Sequence, residues 1–157
     1  MRKVLILMGS KNDLHVAEKG TSILRSFGVD YEIAVASAHR TPKRVEDLVT
    51  GSDADVFIAI AGLSAALPGV VASLTTRPVI GVPVSGTVNL DALLSVTQMP
   101  PGIPVAAVGL DRGDNAALLA IKMLSICDPG LQKKLAEYRK EMEKRIIEDS
   151  NSVKSNV

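Results

Sequence analysis

The 157-residue chain is 46% hydrophobic and 22% charged, a balance typical of one globular domain with a core of its own. Its formal net charge is +1, and the basic residues form no stripe, which excludes the electrostatic footprint of a nucleic-acid-binding protein. The single cysteine excludes an intrachain disulfide and a cysteine metal cluster, and no apolar run approaches the ~20 residues of a membrane span. With no signal-peptide pattern before the first strand, we expect a cytoplasmic protein without a membrane partner.

Short apolar runs alternate with helical patterns along the chain. Val4–Met8 is continuously apolar rather than alternating, as expected for a strand covered on both faces, and the strand is predicted over Lys3–Met8. Helix patterns lie between the runs, which predicts a parallel sheet with helices on both sides, a three-layer α/β domain of the flavodoxin-like type. The other predicted strands are Tyr31–Ala36, Val56–Ile60, Pro78–Val82 and Val105–Val108, and helices are predicted to begin near Asn12, Thr41, Leu67, Leu90 and Asp114.

The last predicted helix, from Pro129 to about Glu148, differs from the others. Its apolar residues form a narrow stripe among many charges, which can pack either on its own domain or on a neighbouring subunit. Because the five-strand unit is complete without it, we favour an intersubunit helix. We take residues 1–149 as one domain and 150–157 as a disordered tail. The stripe consists of Leu131, Leu135, Tyr138, Met142 and Ile146.

Three loops at the predicted carboxyl ends of strands have unusual compositions, and ligands of open parallel sheets bind at this edge. In the first loop, Ser10 can cap the following helix with Asp13 answering from the fourth position. The same turn can instead present free amides to an anion, with Asp13 accepting hydrogen bonds from sugar hydroxyls. The pattern is neither a dinucleotide fingerprint nor a Walker loop, so it leaves both interpretations open.

The second loop, Ser37–Pro42, combines a hydroxyl, an imidazole and a guanidinium at a helix start. Arg40 suits bidentate capture of a phosphate, and Ser37 can add a donor. The pKa of an unperturbed histidine is ~6.5, so His39 is a candidate for giving and taking protons near neutrality. The other histidine, His15, lies in a polar part of the first helix, and we interpret it as a surface residue.

The third loop, Ala61–Gly69, is rich in small residues that let the backbone approach a flat ligand closely. Tight helix–sheet packing demands the same residues, so the loop decides nothing by itself.

Together these segments resemble the PurE family, the N5-carboxyaminoimidazole ribonucleotide mutases and aminoimidazole ribonucleotide carboxylases. The Ser-Ala-His-Arg-Thr-Pro and Gln-Met-Pro stretches are specific to that family, whereas the Gly-Ser turn is not. The resemblance runs from about residue 3 to residue 127. The matching stretches are Gly9–Asp13, Ser37–Pro42, Leu67–Gly69, Pro78–Val84, Ser95–Pro100 and Asn115–Ala120.

The resemblance implies a flavodoxin-like sheet and a homo-octamer whose C-terminal helices reach onto neighbours. It implies that His39 is catalytic and that Ser10, Asp13 and Arg40 bind the substrate, with Ser37 close to the phosphate. The small-molecule partners would be the ribonucleotide and carbon dioxide, with no cofactor and no metal. The remaining residues predicted to bind substrate are Gly9, Lys11, Ala61, Gly62, Leu63, Ser64, Ala65, Leu67 and Pro68.

One departure from the family pattern falls in the third loop. The usual Ala-Ala-His-Leu-Pro-Gly stands here as Ala65-Ala66-Leu67-Pro68-Gly69, so that Ala66 replaces a histidine. The lost imidazole would have positioned the carboxylate or tuned His39. The sequence therefore does not decide whether the carboxyl donor is the N5 carbamate or free carbon dioxide. The function expected is transfer of a carboxyl group from N5 to C4, with direct carboxylation by free carbon dioxide as the alternative.

Other classes fit less well. A flavin-binding module needs aromatic residues at the strand ends, and these three loops contain none. A phospho-receiver needs acidic residues after the first and third strands, where Gly9-Ser10 and Ala61-Gly62 stand instead. A non-catalytic nucleotide-binding relative, suggested by Ala66, is the remaining alternative.

Overall fold

The computed structural model describes residues 3–155. Five parallel strands form one sheet in the order β2-β1-β3-β4-β5, which confirms the predicted flavodoxin-like arrangement. The strands are β1 (Lys3–Met8), β2 (Asp30–Val35), β3 (Val56–Ala61), β4 (Val79–Pro83) and β5 (Ala106–Ala107), and the helices are α1 (Leu14–Phe27), α2 (Pro42–Thr50), α3 (Leu67–Ser73), α4 (Asn89–Thr97), α5 (Gly113–Ser125) and α6 (Pro129–Ser155).

One face of the sheet packs against α2, α3 and α4. Leu5 and Leu7 of β1 point to this face, where they join Phe57 of β3 in a buried cluster. Because successive residues of a strand point to opposite faces, Val4 and Ile6 point the other way, and both are buried. α1 lies against β1 and β2. The helix residues of the buried cluster include Val45, Val49, Leu67, Val71, Ala72 and Val96.

The backbones of α1 and α5 touch at two glycines. A Cβ atom added to Gly113 would lie 2.0 Å from the carbonyl oxygen of Val16, and one added to Gly20 would lie 2.9 Å from the carbonyl oxygen of Gly113. Neither site has room for a side chain. This close contact sets where the loop between β5 and α5 approaches α1.

The edge strand β2 is less covered than its apolar composition predicts. Ile33 and Val35 are 41% and 42% exposed, whereas β1 and β3 are buried almost throughout. β2 pairs with β1 on one side only, so its side chains extend beyond the cover that α1 provides. α1 also begins two residues later than predicted, because Lys11–Asp13 form a short 3-10 turn.

The chain forms two compact units, one up to Ile121 and one from Lys122. The single domain over residues 1–149 stays a prediction. In the second unit, the side-chain amide of Gln132 donates to the carbonyl oxygen of Ser125 at 2.8 Å. Of the predicted stripe, Leu131 is buried, whereas Met142 and Ile146 are exposed.

The C-terminal helix is longer than predicted. α6 continues to Ser155, so residues 150–155 are helical rather than disordered, since no Gly or Pro interrupts the chain after Gly130. The end of the predicted tail, residues 156–157, lies outside the described residues. Within residues 3–155, no helix is both long and apolar enough to cross a lipid bilayer.

Candidate active site

Two loops meet at the carboxyl edge of the sheet, beside the point where the strand order reverses. β2 lies on one side of β1 and β3 on the other, so a crevice forms beyond the end of β1. Met8 pairs with Val35, which brings the loop that begins at Gly9 next to the loop that begins at Ala36. The amide of Ala36 donates to the carbonyl oxygen of Met8 at 2.9 Å and continues this pairing.

The first loop forms the capping box predicted from the sequence. The hydroxyl of Ser10 accepts from the amide of Asn12 at 3.2 Å, and the carboxylate of Asp13 accepts from the amide of Ser10 at 3.1 Å. Asp13 is buried, and burial raises its pKa above the ordinary value of 3.8, although the hydrogen bond from Ser10 favours the anion. Asp13 is thus a carboxylate held beside Ser10 with little water around it.

Arg40 joins the two loops. Its Nη2 donates to the carbonyl oxygen of Gly9 at 2.7 Å, and its Nε donates to the hydroxyl of Ser37 at 3.1 Å. The hydroxyl of Thr41 accepts from the amide of Ser37 at 2.9 Å and stiffens the turn. The Nη1 group of Arg40 makes no hydrogen bond within residues 3–155, so it remains available to an anion.

These contacts border an open, shallow cavity of about 270 Å³. This volume is close to ~300 Å³, the lower end of the range for small-molecule sites. Its charged groups are Lys11 and Arg40, which favour an anionic ligand such as a phosphate. Its lining consists of Gly9, Ser10, Lys11, Val35, Ala36, Ser37, Arg40 and Thr41.

A larger cavity of about 790 Å³ lies away from this edge, beside the ends of α2 and α3. Among its lining residues only Arg77 is charged, and the guanidinium of Arg77 donates to the carbonyl oxygens of Ser52 and Ala54. It brings together no acid, base or nucleophile pair, so size alone does not make it the catalytic site.

His39 lies next to Arg40 in the chain but does not line the 270 Å³ cavity. Its side chain is exposed, and its ring makes no hydrogen bond with the described part of the chain. The structure therefore brings Ser10, Ser37 and Arg40 together, whereas it leaves the imidazole in solvent near them. His15 is also exposed, as expected, and its Nδ1 lies 3.0 Å from the carbonyl oxygen of Asn12.

The third loop follows β3 beside the first one. A Cβ atom on Gly9 would lie 4.0 Å from the Cβ of Ala61, so the two loops adjoin. Leu63 is 81% exposed, and Ser64 has a left-handed backbone with φ 50°. Four residues predicted to bind substrate have buried side chains, and their contact with substrate stays a prediction: Ala61, Ala65, Leu67 and Pro68.

Comparisons with known proteins identify the family. The sequence model described as AIR carboxylase matches residues 3–145. The chain belongs to the AIR carboxylase family. A protein of Methanocaldococcus jannaschii named N5-carboxyaminoimidazole ribonucleotide mutase is 60% identical over 152 residues, 96% of this chain and 97% of that protein. A protein of Pyrococcus abyssi with the same name is 50% identical and covers 92% of this chain, which spans 86% of that protein.

A solved structure agrees with the family. The crystal structure of Treponema denticola PurE superposes with a TM-score of 0.88 at 34% identity and covers 97% of this chain and 98% of its own. Membership of the AIR carboxylase family confirms the resemblance that the Ser37–Pro42 motif suggested. Ala66, where the family pattern led us to expect a histidine, is half-buried and lies directly before α3.

Sequence reasoning missed a group of polar contacts at the same edge of this AIR carboxylase family member. Asp111, in the loop between β5 and α5, accepts hydrogen bonds from Ser85, in the loop after β4. In the sequence, Asp111 stands between two glycines after the last strand. This pattern is common in turns, so by itself it does not indicate a functional residue. Residues 3–155 contain no group of three or more His, Cys, Asp or Glu side chains placed to hold a metal ion.

Proposed function

We propose that this chain converts N5-carboxyaminoimidazole ribonucleotide to 4-carboxy-5-aminoimidazole ribonucleotide in purine biosynthesis. The main structural support is the open cavity that Arg40 lines between the loops after β1 and β2, which suits the phosphate of a nucleotide. The names of the relatives from Methanocaldococcus and Pyrococcus favour the mutase over the carboxylase reaction.

In this proposal the phosphate lies between the free Nη1 group of Arg40, the hydroxyl of Ser37 and the amides of the first loop. Arginine suits this place because its planar donors match the oxygens of a phosphate. Asp13, buried beside Ser10, accepts hydrogen bonds from the ribose hydroxyls. The imidazole ring of the substrate then extends towards the third loop.

The carboxyl group moves in two balanced steps. The N5 carbamate releases carbon dioxide, and N5 takes up a proton. The enamine-like carbon C4 then attacks carbon dioxide, forms the new C–C bond and loses its own proton. His39 is the proposed carrier that removes the proton from C4 and returns one to N5, so that no net proton is consumed. Confinement matters, because free carbon dioxide would otherwise escape before it recombined.

Separate supply of each carboxyl donor tests the reaction. Purified protein is given either N5-carboxyaminoimidazole ribonucleotide or aminoimidazole ribonucleotide with bicarbonate and dissolved carbon dioxide, and C4 carboxylation is followed by absorbance. The mutase proposal expects fast turnover of the carbamate and slow turnover of the second mixture. The reverse order would establish the carboxylase, and no turnover of either would identify a non-catalytic relative.

The role of His39 is tested with the other histidine of the chain as a matched control. His39→Asn should lower kcat by at least about 100-fold while nucleotide binding stays within twofold, since acid–base catalysis contributes ~10²–10⁴-fold. His15→Asn, at an exposed position of α1, should retain the wild-type kcat. Full activity of His39→Asn would eliminate this assignment.

A homo-octamer with α6 at subunit contacts, located in the cytoplasm, is the remaining part of the proposal. Its support in the chain is the apolar surface of α6, where Met142, Ile146 and Ile147 are exposed. Light scattering after size-exclusion chromatography measures the subunit count directly. An Ile146→Glu variant should dissociate the assembly, and a monomeric wild-type protein would rule it out.

A further inference from the structure

Asp111 ties together three segments at the carboxyl edge of the sheet. Its carboxylate accepts from the backbone amide of Ser85 at 2.8 Å and from the Ser85 hydroxyl at 2.5 Å. Its own amide donates to the carbonyl oxygen of Pro83 at 2.9 Å, at the end of β4. Its carbonyl oxygen accepts from the ammonium of Lys19 on α1 at 3.1 Å. One residue therefore fixes the start of the loop after β4.

The backbone of Asp111 is strained. Its φ is +57°, in the left-handed region that non-glycine residues rarely occupy. Such strain persists only where surrounding contacts enforce it, and it concentrates at functional sites. A glycine would adopt this conformation without strain, so the side chain itself must account for the choice of aspartate here.

Ser85 in turn borders the third loop. Val84, the residue before Ser85, donates from its amide to the carbonyl oxygen of Ala61 at 3.0 Å. A Cβ atom on Gly62 would lie 3.7 Å from the Cβ of Val84, so the two loops are in contact. A shift of Ser85 therefore moves Val84 against the loop that begins at Gly62.

We propose that Asp111 is a positioning residue for the carboxyl transfer. By holding Ser85, it places the loop after β4 and, through Val84, the backbone at Gly62 against the substrate's heterocycle. This inference rests on the proposed function, because it assigns the heterocycle to that side of the crevice. The phosphate is assigned to the loops after β1 and β2, which Asp111 does not contact.

The ionisation of Asp111 agrees with this role. Burial acts to raise its pKa, but the two hydrogen bonds from Ser85 and the charge of Lys19 outweigh burial and hold the pKa below its usual value of 3.8. The carboxylate is thus anionic at neutral pH and accepts both hydrogen bonds at once.

Four substitutions at two positions test the inference by separating kcat from KM. Asp111→Asn keeps the shape and tolerates the left-handed backbone. It should lower kcat about 10-fold with KM within about twofold, because small displacements of reacting groups cost turnover. Asp111→Gly relieves the backbone strain, so this variant should be at least as stable as the wild type. Its kcat should fall as far as that of Asp111→Asn. Ser85→Ala should lower kcat in the same direction, and Ser85→Thr, which keeps the hydroxyl, should restore it.

Asp114→Asn is the control, since Asp114 lies in the same region but pairs with Arg112 at 2.9 Å. It should retain the wild-type kcat and KM. Wild-type kcat in both Asp111 variants, with an active wild-type enzyme, would overturn the inference and leave the proposed function intact. A second outcome would also overturn the inference, because it would show a purely structural role. In that outcome Asp111→Asn raises KM and lowers thermal stability together, and Asp111→Gly restores both. An inactive wild-type protein would overturn the proposed function itself.

Discussion

Arg40 donates a hydrogen bond to the carbonyl oxygen of Gly9, a residue 31 positions earlier in the chain, at 2.7 Å. The bond joins the loop after β2 to the loop after β1, which lie side by side because the two strands are parallel neighbours. A second bond, from the Nε of Arg40 to Ser37, holds the guanidinium plane in place. These two bonds fix the position of the guanidinium at the proposed phosphate site, which lowers the entropic cost of binding a ligand there.

Replacing Arg40 by lysine should weaken substrate binding. A single ammonium cannot contact Gly9, Ser37 and a phosphate with the planar geometry of a guanidinium. Loss of hydrogen bonds to a charged group costs ~1.5–3 kcal/mol, so KM should rise roughly 10- to 100-fold with a smaller change in kcat. Steady-state kinetics measure both constants. Arg44→Lys is the control, since Arg44 donates to the carbonyl oxygen of Val35 and does not line the cavity. An unchanged KM in Arg40→Lys would remove Arg40 from the phosphate site.

The pH profile should report the buried carboxylate of Asp13. Burial raises the pKa of Asp13 above 3.8, so on acidification Asp13 takes up a proton at a higher pH than an ordinary aspartate does. The protonated carboxyl group accepts fewer hydrogen bonds from the ribose hydroxyls. The acid limb of kcat/KM should therefore lie above pH 3.8. Asp13→Asn should lower kcat/KM and abolish this limb, whereas Asp91→Asn, at an exposed position of α4, should leave the profile unchanged. A limb that persists in Asp13→Asn would belong to another group.

The same shift predicts how stability depends on pH. The folded state binds the Asp13 proton more tightly than the unfolded state does, because the folded pKa is the higher one. The contribution of Asp13 to the free energy of unfolding is therefore lost as the pH rises from 3.8 through the raised pKa. Denaturant titrations at several pH values should show this decline in the wild type and a flatter dependence in Asp13→Asn. A decline of equal size in the variant would contradict it.

Restoring the expected histidine should change catalysis. Ala66 is half-buried and lies between the exposed Ser64 and the start of α3. We expect Ala66→His to raise kcat about 10-fold, which is less than the ~10²-fold that a fully positioned acid or base contributes at the least. Ala66→Asn, polar but unable to carry a proton near neutrality, should not raise it. A kcat that falls in Ala66→His would show that this chain has adapted to the alanine.

Gly113→Ala should be strongly destabilising. The added methyl group would lie 2.0 Å from the carbonyl oxygen of Val16, and both atoms belong to packed helices. Overpacking of this kind costs about 3 kcal/mol, measured as a loss in the free energy of unfolding. Gly86→Ala is the control, because a Cβ on Gly86 meets no atom within 4 Å. Equal stability of the two variants would show that α1 and α5 can separate at little cost.

The strands and the first cap could be predicted from the sequence, because they depend on local patterns. Val4–Met8 is buried on both faces, and only a continuous apolar run can satisfy that environment. Ser10 and Asp13 are three residues apart, so their reciprocal bonds follow from spacing. The prediction of a disordered tail over residues 150–157 is wrong for residues 150–155, because polar composition does not exclude an exposed helix.

Contacts between distant segments could not be predicted in the same way. The acceptor that Arg40 finds on Gly9 depends on the pairing of β1 with β2. The role of Asp111 depends on where two short loops end, after a strand of only two residues, Ala106–Ala107. The exposure of His39 depends on a side-chain direction that the motif Ser37–Pro42 does not specify.

β2 is an edge strand, and this position determines which contacts hold its loop in place. β1, β3 and β4 are each flanked by strands on two sides, whereas β2 is attached along one side only. Displacement of β2 with its loop would therefore break the pairing with β1 and the bond from Arg40 to Gly9. It would leave the pairing of β1, β3 and β4 intact.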